Sequence, residues 1–143
     1  TLEAYANLVN PVSQPICPIL DAKKKEVYTA RFKYKNNKLV KETPDQAVSP
    51  QALCEMTQEP SVFLGGGVEP YKDFLASRLG NKFIENAPVK NQTIAASAVQ
   101  IVLNQSQATP GFDLDALTIH YVRKSEAEIN NNILKQEVVK HGY

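Results

Sequence analysis

A short apolar run at 16–20, a run of alternating apolar and polar positions at 26–34 and a returning segment at 38–42 predict three consecutive β-strands. Pro18 interrupts the first run, which favours an edge position or a bulge, because proline has no N–H for the ladder. Asn36-Asn37 suits a hairpin turn, since asparagine tolerates positive φ. One face of the second run carries Tyr28, Ala30, Phe32 and Tyr34. The pattern therefore predicts an antiparallel meander.

Helical spacing, broken by short strands, dominates the rest of the chain. The predicted elements are helix 1–9, a helix from Ser49-Pro50 to Pro60, strand 61–64, helix 70–79, strand 82–85, a helix capped by Asn91 or Thr93, an extended piece at 117–121 and a polar helix from Ser125. The side of the helix after Thr93 that is predicted to face inward comprises Ile94, Ala95, Ala98, Val99 and Val102.

This order of elements predicts an α/β fold. Its sheet is mixed, with the three-stranded antiparallel meander joined to parallel strands and helices packed on it. The same order is typical of one ribonuclease-H-like lobe of the actin-like ATPase class. Such lobes work in pairs, so we interpret 1–12 as a helix and connector from a preceding lobe, 13–123 as the lobe itself, and 124–143 as a helical tail.

The charge balance argues against a strongly electrostatic partner. The 143 residues include 16 Lys and Arg against 15 Asp and Glu, a formal net charge of +1, which gives no global field for nucleic acid or anionic membrane. Neither a signal peptide nor a run long enough to span a bilayer is present, so a cytoplasmic protein is expected. Cys17 and Cys54 are expected to be reduced thiols, and no Cys or His pair has zinc-ligand spacing.

Asp21 is the first candidate for chemistry, because it ends an apolar strand and precedes the basic run Lys23–Lys25. In phosphotransfer folds of this class a carboxylate at that point holds a metal or orients water, and the hairpin backbone cradles phosphate. The simpler explanation is that Asp21 accepts backbone N–H groups of its own turn. The lysines bind phosphate in the first case and lie in solvent in the second.

The loop Gly65-Gly66-Gly67 is the second candidate, since a glycine-rich loop between a strand and a helix can approach a nucleotide. It lacks the Lys-Ser/Thr of a P-loop and the spacing of a dinucleotide fingerprint. The alternative is a turn that needs positive φ. Its place four elements after the Asp21 turn adds weight to the functional interpretation.

Other catalytic patterns are weak or missing in the sequence. His120 and His141 have no evident partner for general-base chemistry. Asp21 has no acidic companions at matching points of the later strands, which disfavours a metal-dependent nuclease. The sequence therefore predicts no catalytic residue, no metal and no cofactor.

Three segments match one family in the same order along the chain. Thr1-Leu2-Glu3-Ala4 resembles a Ser-Thr-Leu-Glu-Ala helix start. A second match is Leu20-Asp21-Ala22-Lys23-Lys24-Lys25-Glu26-Val27-Tyr28, which resembles a Leu-Asp-Ala-Arg-Arg-Gly-Glu-Val-Tyr hairpin. The third is His120-Tyr121-Val122-Arg123-Lys124-Ser125-Glu126-Ala127, which resembles a closing Tyr-Leu-Arg…Ala motif. The chain thus resembles the carboxy-terminal part of the TsaB (YeaZ) family, bacterial subunits of the machinery that forms threonylcarbamoyladenosine in tRNA.

The resemblance implies a non-catalytic scaffold. The family's turn glycine is Lys25 here, and its Gly-Asp-Gly loop is Gly65-Gly66-Gly67, so Asp21 and this loop are expected to be vestiges of a phosphate site. A TsaD-like partner would perform the transfer and a TsaE-like ATPase would join the complex. Homodimers or TsaD-like pairs would form through the amino-terminal lobe, with tRNA bound only through the complex and no membrane contact.

Two other functions stay open on the sequence. One is a lobe of an active sugar or acetate kinase, which the glycine loop before Pro70 favours and the Asp21-Ala22-Lys23 turn, lacking the usual glycine, disfavours. The other is a small RNA-binding module, for which the basic residues would be Lys23–Lys25, Lys33, Lys35, Lys38 and Lys41.

Overall fold

A computed structural model describes residues 1–85, 89–106 and 122. Its elements are α1 (Leu2–Ala6), β1 (Ile16–Asp21), β2 (Val27–Thr29), β3 (Phe32–Lys35), β4 (Lys38–Lys41), β5 (Gln46–Val48), α2 (Pro50–Met56), β6 (Ser61–Leu64), α3 (Lys72–Leu79), β7 (Phe83–Ile84) and α4 (Ile94–Ser106), with short 3₁₀ turns at Glu69–Tyr71 and Gly80–Lys82. The predicted extended piece at 117–121, the tail at 124–143, His120 and His141 lie outside the described residues.

The second strand of the predicted meander is present as two strands, β2 and β3, because its hydrogen-bond ladder with β1 is interrupted. β2 and β3 both pair antiparallel with β1 in one register, since Ile19 lies opposite Thr29 and Ile16 opposite Phe32. In that register the unpaired Ala30 falls opposite Pro18. Because proline has no N–H to donate, the ladder breaks at this point.

Pro18 does not place β1 at an edge of the sheet, which was one of the two predicted alternatives. β1 pairs with β2 and β3 on one side and in parallel with β6 on the other, where Pro18 lies opposite Leu64. The proline is fully buried. The strand remains central because the interruption at Ala30 accommodates the missing N–H.

The outer side of the meander also consists of two separate strands. β4 pairs antiparallel with β3, and β5 pairs antiparallel with β2. Between them the carbonyl of Arg31 accepts the backbone N–H groups of Glu42 (2.7 Å) and Thr43 (3.4 Å). The Arg31 N–H donates to Oγ1 of Thr43 at 2.9 Å. These bonds hold the two outer strands, β4 and β5, against the segment that contains β2 and β3.

The sheet continues beyond β1 with parallel neighbours. Ile16 of β1 pairs with Val62 of β6, and Ser61 of β6 pairs in parallel with Phe83 of β7. Across the sheet, β4 and β5 share the outermost position, β3 and β2 share the next, and β1, β6 and β7 follow in that order. The carboxyl ends of β1 and β6 meet at one edge of the sheet, which places the two candidate loops side by side.

Helices cover both faces of the sheet because its central strands are apolar on both sides. One core contains Leu2, Ala6, Val9, Ile16, Ala30, Phe32 and Val62, under α1. The other contains Cys17, Ile19, Val27, Leu53, Phe63, Val68, Leu75 and Leu79, under α2 and α3. The predicted cap of α2 is confirmed, since Ser49 Oγ accepts the N–H of Ala52 at 3.1 Å and Pro50 opens the helix.

The predicted inward face of α4 is wrong. Val99 and Val102 are 57% and 51% exposed, and Ser97 is fully buried instead. Ser97 Oγ donates to the carbonyl of Ala4 at 2.8 Å and accepts from Asn7 Nδ2 at 3.0 Å. The helix therefore docks on α1 through hydrogen bonds, and its most apolar side faces outward. Ile94, Ala95 and Ala98, which belonged to the same prediction, are exposed as well.

No helix in the described part of the chain is long and apolar enough to cross a membrane.

Candidate functional site

Asp21 closes its own turn. Its Oδ1 accepts the backbone N–H of Lys23 at 2.8 Å, and its Oδ2 pairs with the Lys23 Nζ at 2.7 Å. The hydrogen bonds from Lys23 hold the pKa of the Asp21 carboxyl below its ordinary value. Both carboxylate oxygens thus have a partner within two residues, as the simpler explanation of this residue predicts.

The lysine turn has an unusual backbone. Lys23, Lys24 and Lys25 have φ values of 61°, 50° and 62°, all in the left-handed region. The Ala22 N–H donates to the carbonyl of Glu26 at 3.0 Å, and the Glu26 N–H to that of Lys23 at 2.9 Å. A left-handed residue with a Cβ costs roughly 1–2 kcal/mol, so this turn carries strain that a glycine would relieve.

The triglycine loop is shaped by contact with the end of β1. A Cβ on Gly65, whose φ is +105°, would lie 2.5 Å from the carbonyl oxygen of Ile19. The Gly67 N–H donates to that oxygen at 2.9 Å, and a Cβ on Gly67 would lie 3.0 Å from it. Gly65 and Gly67 are therefore needed for packing, whereas a Cβ on Gly66 would meet nothing within 4 Å.

The structure brings the two predicted loops together through the backbone of Ile19. Within residues 1–85, 89–106 and 122, no three His, Cys, Asp or Glu side chains cluster to hold a metal ion, there or elsewhere. What the edge of the sheet offers is a strained basic turn, a carboxylate engaged with Lys23 and an open glycine.

An ionic network beside β3 was not predicted from the sequence. Arg31 Nε bonds Glu42 Oε2 at 2.9 Å, and its Nη2 bonds Glu59. Lys35 adds a 3.0 Å contact to Glu42, and Lys33 lies 3.7 Å from Glu59. The hydrogen bond from Arg31 is the largest cause lowering the pKa of each glutamate. The alternation of Arg31, Lys33 and Lys35 along one strand was the available signal.

The two cysteines are free, as predicted. Cys17 lies beside a cavity of about 70 Å³ that Thr29 and Ser61 also line. Burial raises the pKa of the Cys17 thiol to about 11. The thiol is therefore protonated at neutral pH and is a poor nucleophile.

A larger groove of about 570 Å³ lies between α1, α4 and the β3–β4 hairpin. Its walls are mostly polar, and Lys90 Nζ donates there to Asn7 Oδ1 at 3.1 Å. Tyr34 at its floor donates from its hydroxyl to the carbonyl of Val9 at 2.9 Å. This groove could not be predicted from the sequence, because its residues are far apart along the chain.

These features define an α/β protein in which the turn after β1 and the glycine loop after β6 lie side by side at the carboxyl ends of two parallel strands. No family model matches the chain. It is 34% identical over 117 residues to the tRNA threonylcarbamoyladenosine biosynthesis protein TsaB of Bacillus subtilis (strain 168), a match that covers 79% of this chain and 49% of that protein.

A solved structure shares the fold. It is a crystal structure described as an uncharacterized protein with similarity to peptidase YEAZ from Pseudomonas aeruginosa, with a TM-score of 0.62 and 12% identity. The similarity covers 85% of this chain and 56% of that one. The chain belongs to the TsaB (YeaZ) family, and it spans about half the length of the curated relative it matches.

Proposed function

We propose that this chain takes part in forming threonylcarbamoyladenosine in tRNA, as a non-catalytic supporting component. The support for the process is the 34% identity to a protein named for it, over 79% of the chain. The observation that carries the non-catalytic role is the state of Asp21, whose two oxygens both bond Lys23. A metal–phosphate group would have to compete with Lys23 for both of these oxygens.

The proposed fold class is the ribonuclease-H-like lobe of actin-like ATPases. Its support is the order of the sheet, in which an antiparallel meander is followed by two parallel strands beside β1. In this arrangement the β1–β2 turn and the loop after β6 are the two loops that would flank a nucleotide. Both loops are present in this chain, which is why their chemistry decides between scaffold and enzyme.

The chemistry of the glycine loop favours the scaffold. Gly65 and Gly67 have a packing reason to be glycine, because a Cβ at either position would collide with Ile19. The remaining position, Gly66, carries no acidic side chain. In this proposal a TsaD-like partner performs the transfer and a TsaE-like ATPase joins the assembly, and tRNA is bound by the complex in the cytoplasm.

The test is made in the organism that carries the chain, with tRNA nucleosides measured by mass spectrometry. Depletion of the chain should lower threonylcarbamoyladenosine, and re-expression of the wild type or of Asp21→Ala should restore it equally. Asp73→Ala, a substitution of the same type on α3, is the matched control. Unchanged modification after depletion would reject the process, and failure of a stably expressed Asp21→Ala alone would reject the non-catalytic role.

A second candidate function is a lobe of an active sugar or acetate kinase. The open surface at Gly66 favours it, since a backbone could approach a nucleotide there without steric hindrance. Nucleotide-dependent phosphorylation of a sugar or of acetate by the intact protein, lost in Asp21→Ala and kept in Asp73→Ala, would support this alternative.

A further inference from the structure

The cavity of about 70 Å³ beside Cys17 lies where the ladder on β1 is interrupted. Ala30 and Arg31, the two residues between β2 and β3, both line it. Met56, which is 45% exposed, borders it as well, so the cavity leads from the surface towards the sheet. Its position follows from the fold, because the break opposite Pro18 is where the strands do not close on each other.

Thr29, at the end of β2, has an unpaired hydroxyl at this cavity. The residue is only 2% exposed and lines the cavity wall. Its Oγ1 is buried and has no hydrogen-bond partner within the described part of the chain. A buried hydroxyl without a partner is costly, and native proteins almost always satisfy such a group with a protein atom or an ordered water. Thr29 therefore points to a hydrogen-bonding ligand in this cavity.

Three further hydroxyl residues line the same cavity and have bonding capacity left. Ser61 Oγ donates to a carbonyl two residues earlier at 2.9 Å, and Thr57 Oγ1 donates to a carbonyl of α2 at 2.8 Å. Each oxygen can still accept a hydrogen bond. Thr43 Oγ1 accepts the N–H of Arg31 at 2.9 Å and keeps its own proton to donate. A ligand that both donates and accepts suits these walls.

Charge and volume restrict the ligand further. Of the described residues that line the cavity, only Arg31 carries a charge, and Glu42 and Glu59 already neutralise it. The Cys17 thiol is neutral at pH 7, since burial raises its pKa to about 11. An ion would enter without a counter-charge, which is unfavourable. A water molecule is neutral, donates and accepts, and occupies roughly 30 Å³ in the liquid.

We propose that this cavity is a structural water site, in which one water molecule bonds Thr29 Oγ1 and a second can lie beside it. The volume admits about two molecules at liquid density. The bound water would satisfy the hydroxyl of β2 at the place where the ladder is broken. It would also connect β2 to Thr57 and Ser61, at the end of α2 and the start of β6.

Magnetic relaxation dispersion of the water oxygen nucleus tests the site, because it counts water molecules that a protein retains longer than its tumbling time. Thr29→Val keeps the shape of the side chain without its hydroxyl, and should lower the dispersion amplitude by about one water. Thr29→Ser keeps the hydroxyl and should retain the amplitude. The matched control is Thr93→Val at the exposed start of α4, which loses its bond to the Ala96 N–H but should leave the amplitude unchanged.

The direction of the change in melting temperature is an independent test. With water bound, Thr29→Val loses a hydrogen bond and should melt about 2–5 °C below the wild type. Without water, the same substitution would remove an unpaired buried hydroxyl and would raise the melting temperature. Equal dispersion amplitudes in the wild type and Thr29→Val, or a Thr29→Val protein that melts above the wild type, would each overturn the proposal.

Discussion

Local backbone geometry at the carboxyl ends of β1 and β6 explains the identity of most residues in the two candidate loops. Asp21 bonds Lys23, and Gly65 and Gly67 avoid the carbonyl of Ile19. The sequence allowed both a chemical and a local explanation for these residues. It could not decide between them, because the deciding facts are the pairing of β1 with β6 and the direction of one carboxylate.

Relief of strain in the lysine turn gives the first prediction. Lys25→Gly should raise the free energy of unfolding by about 1 kcal/mol, since glycine adopts the left-handed φ of 62° without steric cost. Lys38→Gly, in the extended β4, should lower it by roughly 0.5–1 kcal/mol, because glycine loses more entropy in a strand. Chemical denaturation measures both changes. If both substitutions changed the free energy of unfolding in the same direction, the left-handed conformation of Lys25 would be contradicted.

The glycine loop gives a prediction with its own control. Gly65→Ala should destabilise the protein by more than about 2 kcal/mol, because its Cβ would lie 2.5 Å from a backbone oxygen at a positive φ. Gly66→Ala should stay within about 0.5 kcal/mol of the wild type, since space is open there. Thermal unfolding distinguishes them, and a similar loss in both variants would refute the packing role.

At the scale of the elements, periodicity predicted most of the described strands and the start of α2, missed β5 (Gln46–Val48), and was wrong about the docking of α4. The alternation at 26–34 and the Ser49-Pro50 cap are local signals, and both are confirmed. The orientation of α4 depends on a partner element, α1, which offers a carbonyl and an amide to Ser97. A pattern of apolar residues along one helix contains no information about that partner.

The hydrogen bonds of Ser97 should therefore contribute measurably to stability. Ser97→Ala leaves the Asn7 amide without its buried acceptor, at an expected cost of about 1–3 kcal/mol. Ala98→Ser, the same exchange reversed at an exposed neighbour, should be close to neutral. Urea denaturation gives both values, and a neutral Ser97→Ala would show that α4 docks by other contacts.

The ionic network should make the free energy of unfolding depend on pH in the acidic range. The pKa of Glu42 is lowered from its ordinary 4.5, first by the hydrogen bond from Arg31. A carboxyl group whose pKa is lowered by folding stabilises the folded state at pH values above its unfolded-state pKa. That stability is lost as the pH falls through its folded-state pKa. Glu42→Gln should thus be less stable than the wild type at pH 7, and the difference should shrink below pH 4.5.

Glu69→Gln is the control for that titration. Its carboxylate is exposed at the 3₁₀ turn before α3, outside the Arg31 network. At pH 7 this substitution should change the free energy of unfolding less than Glu42→Gln does. A Glu42→Gln profile parallel to the wild type over the whole range would show that the network does not contribute.

For the molecule as a whole, the α/β architecture and the family followed from the sequence, because motif order and strand alternation are preserved along the chain. The groove beside α1 and the outward apolar face of α4 did not follow, since each is made by residues far apart or by a helix orientation. Our central proposal is that the chain keeps the two loops that would flank a nucleotide and does not bind one.

Isothermal titration calorimetry of the intact chain with Mg–ATP tests that claim most directly. The account predicts no binding heat up to millimolar nucleotide, for the wild type and for Asp21→Ala alike. A micromolar dissociation constant that is abolished by Asp21→Ala and unaffected by Asp73→Ala would contradict it.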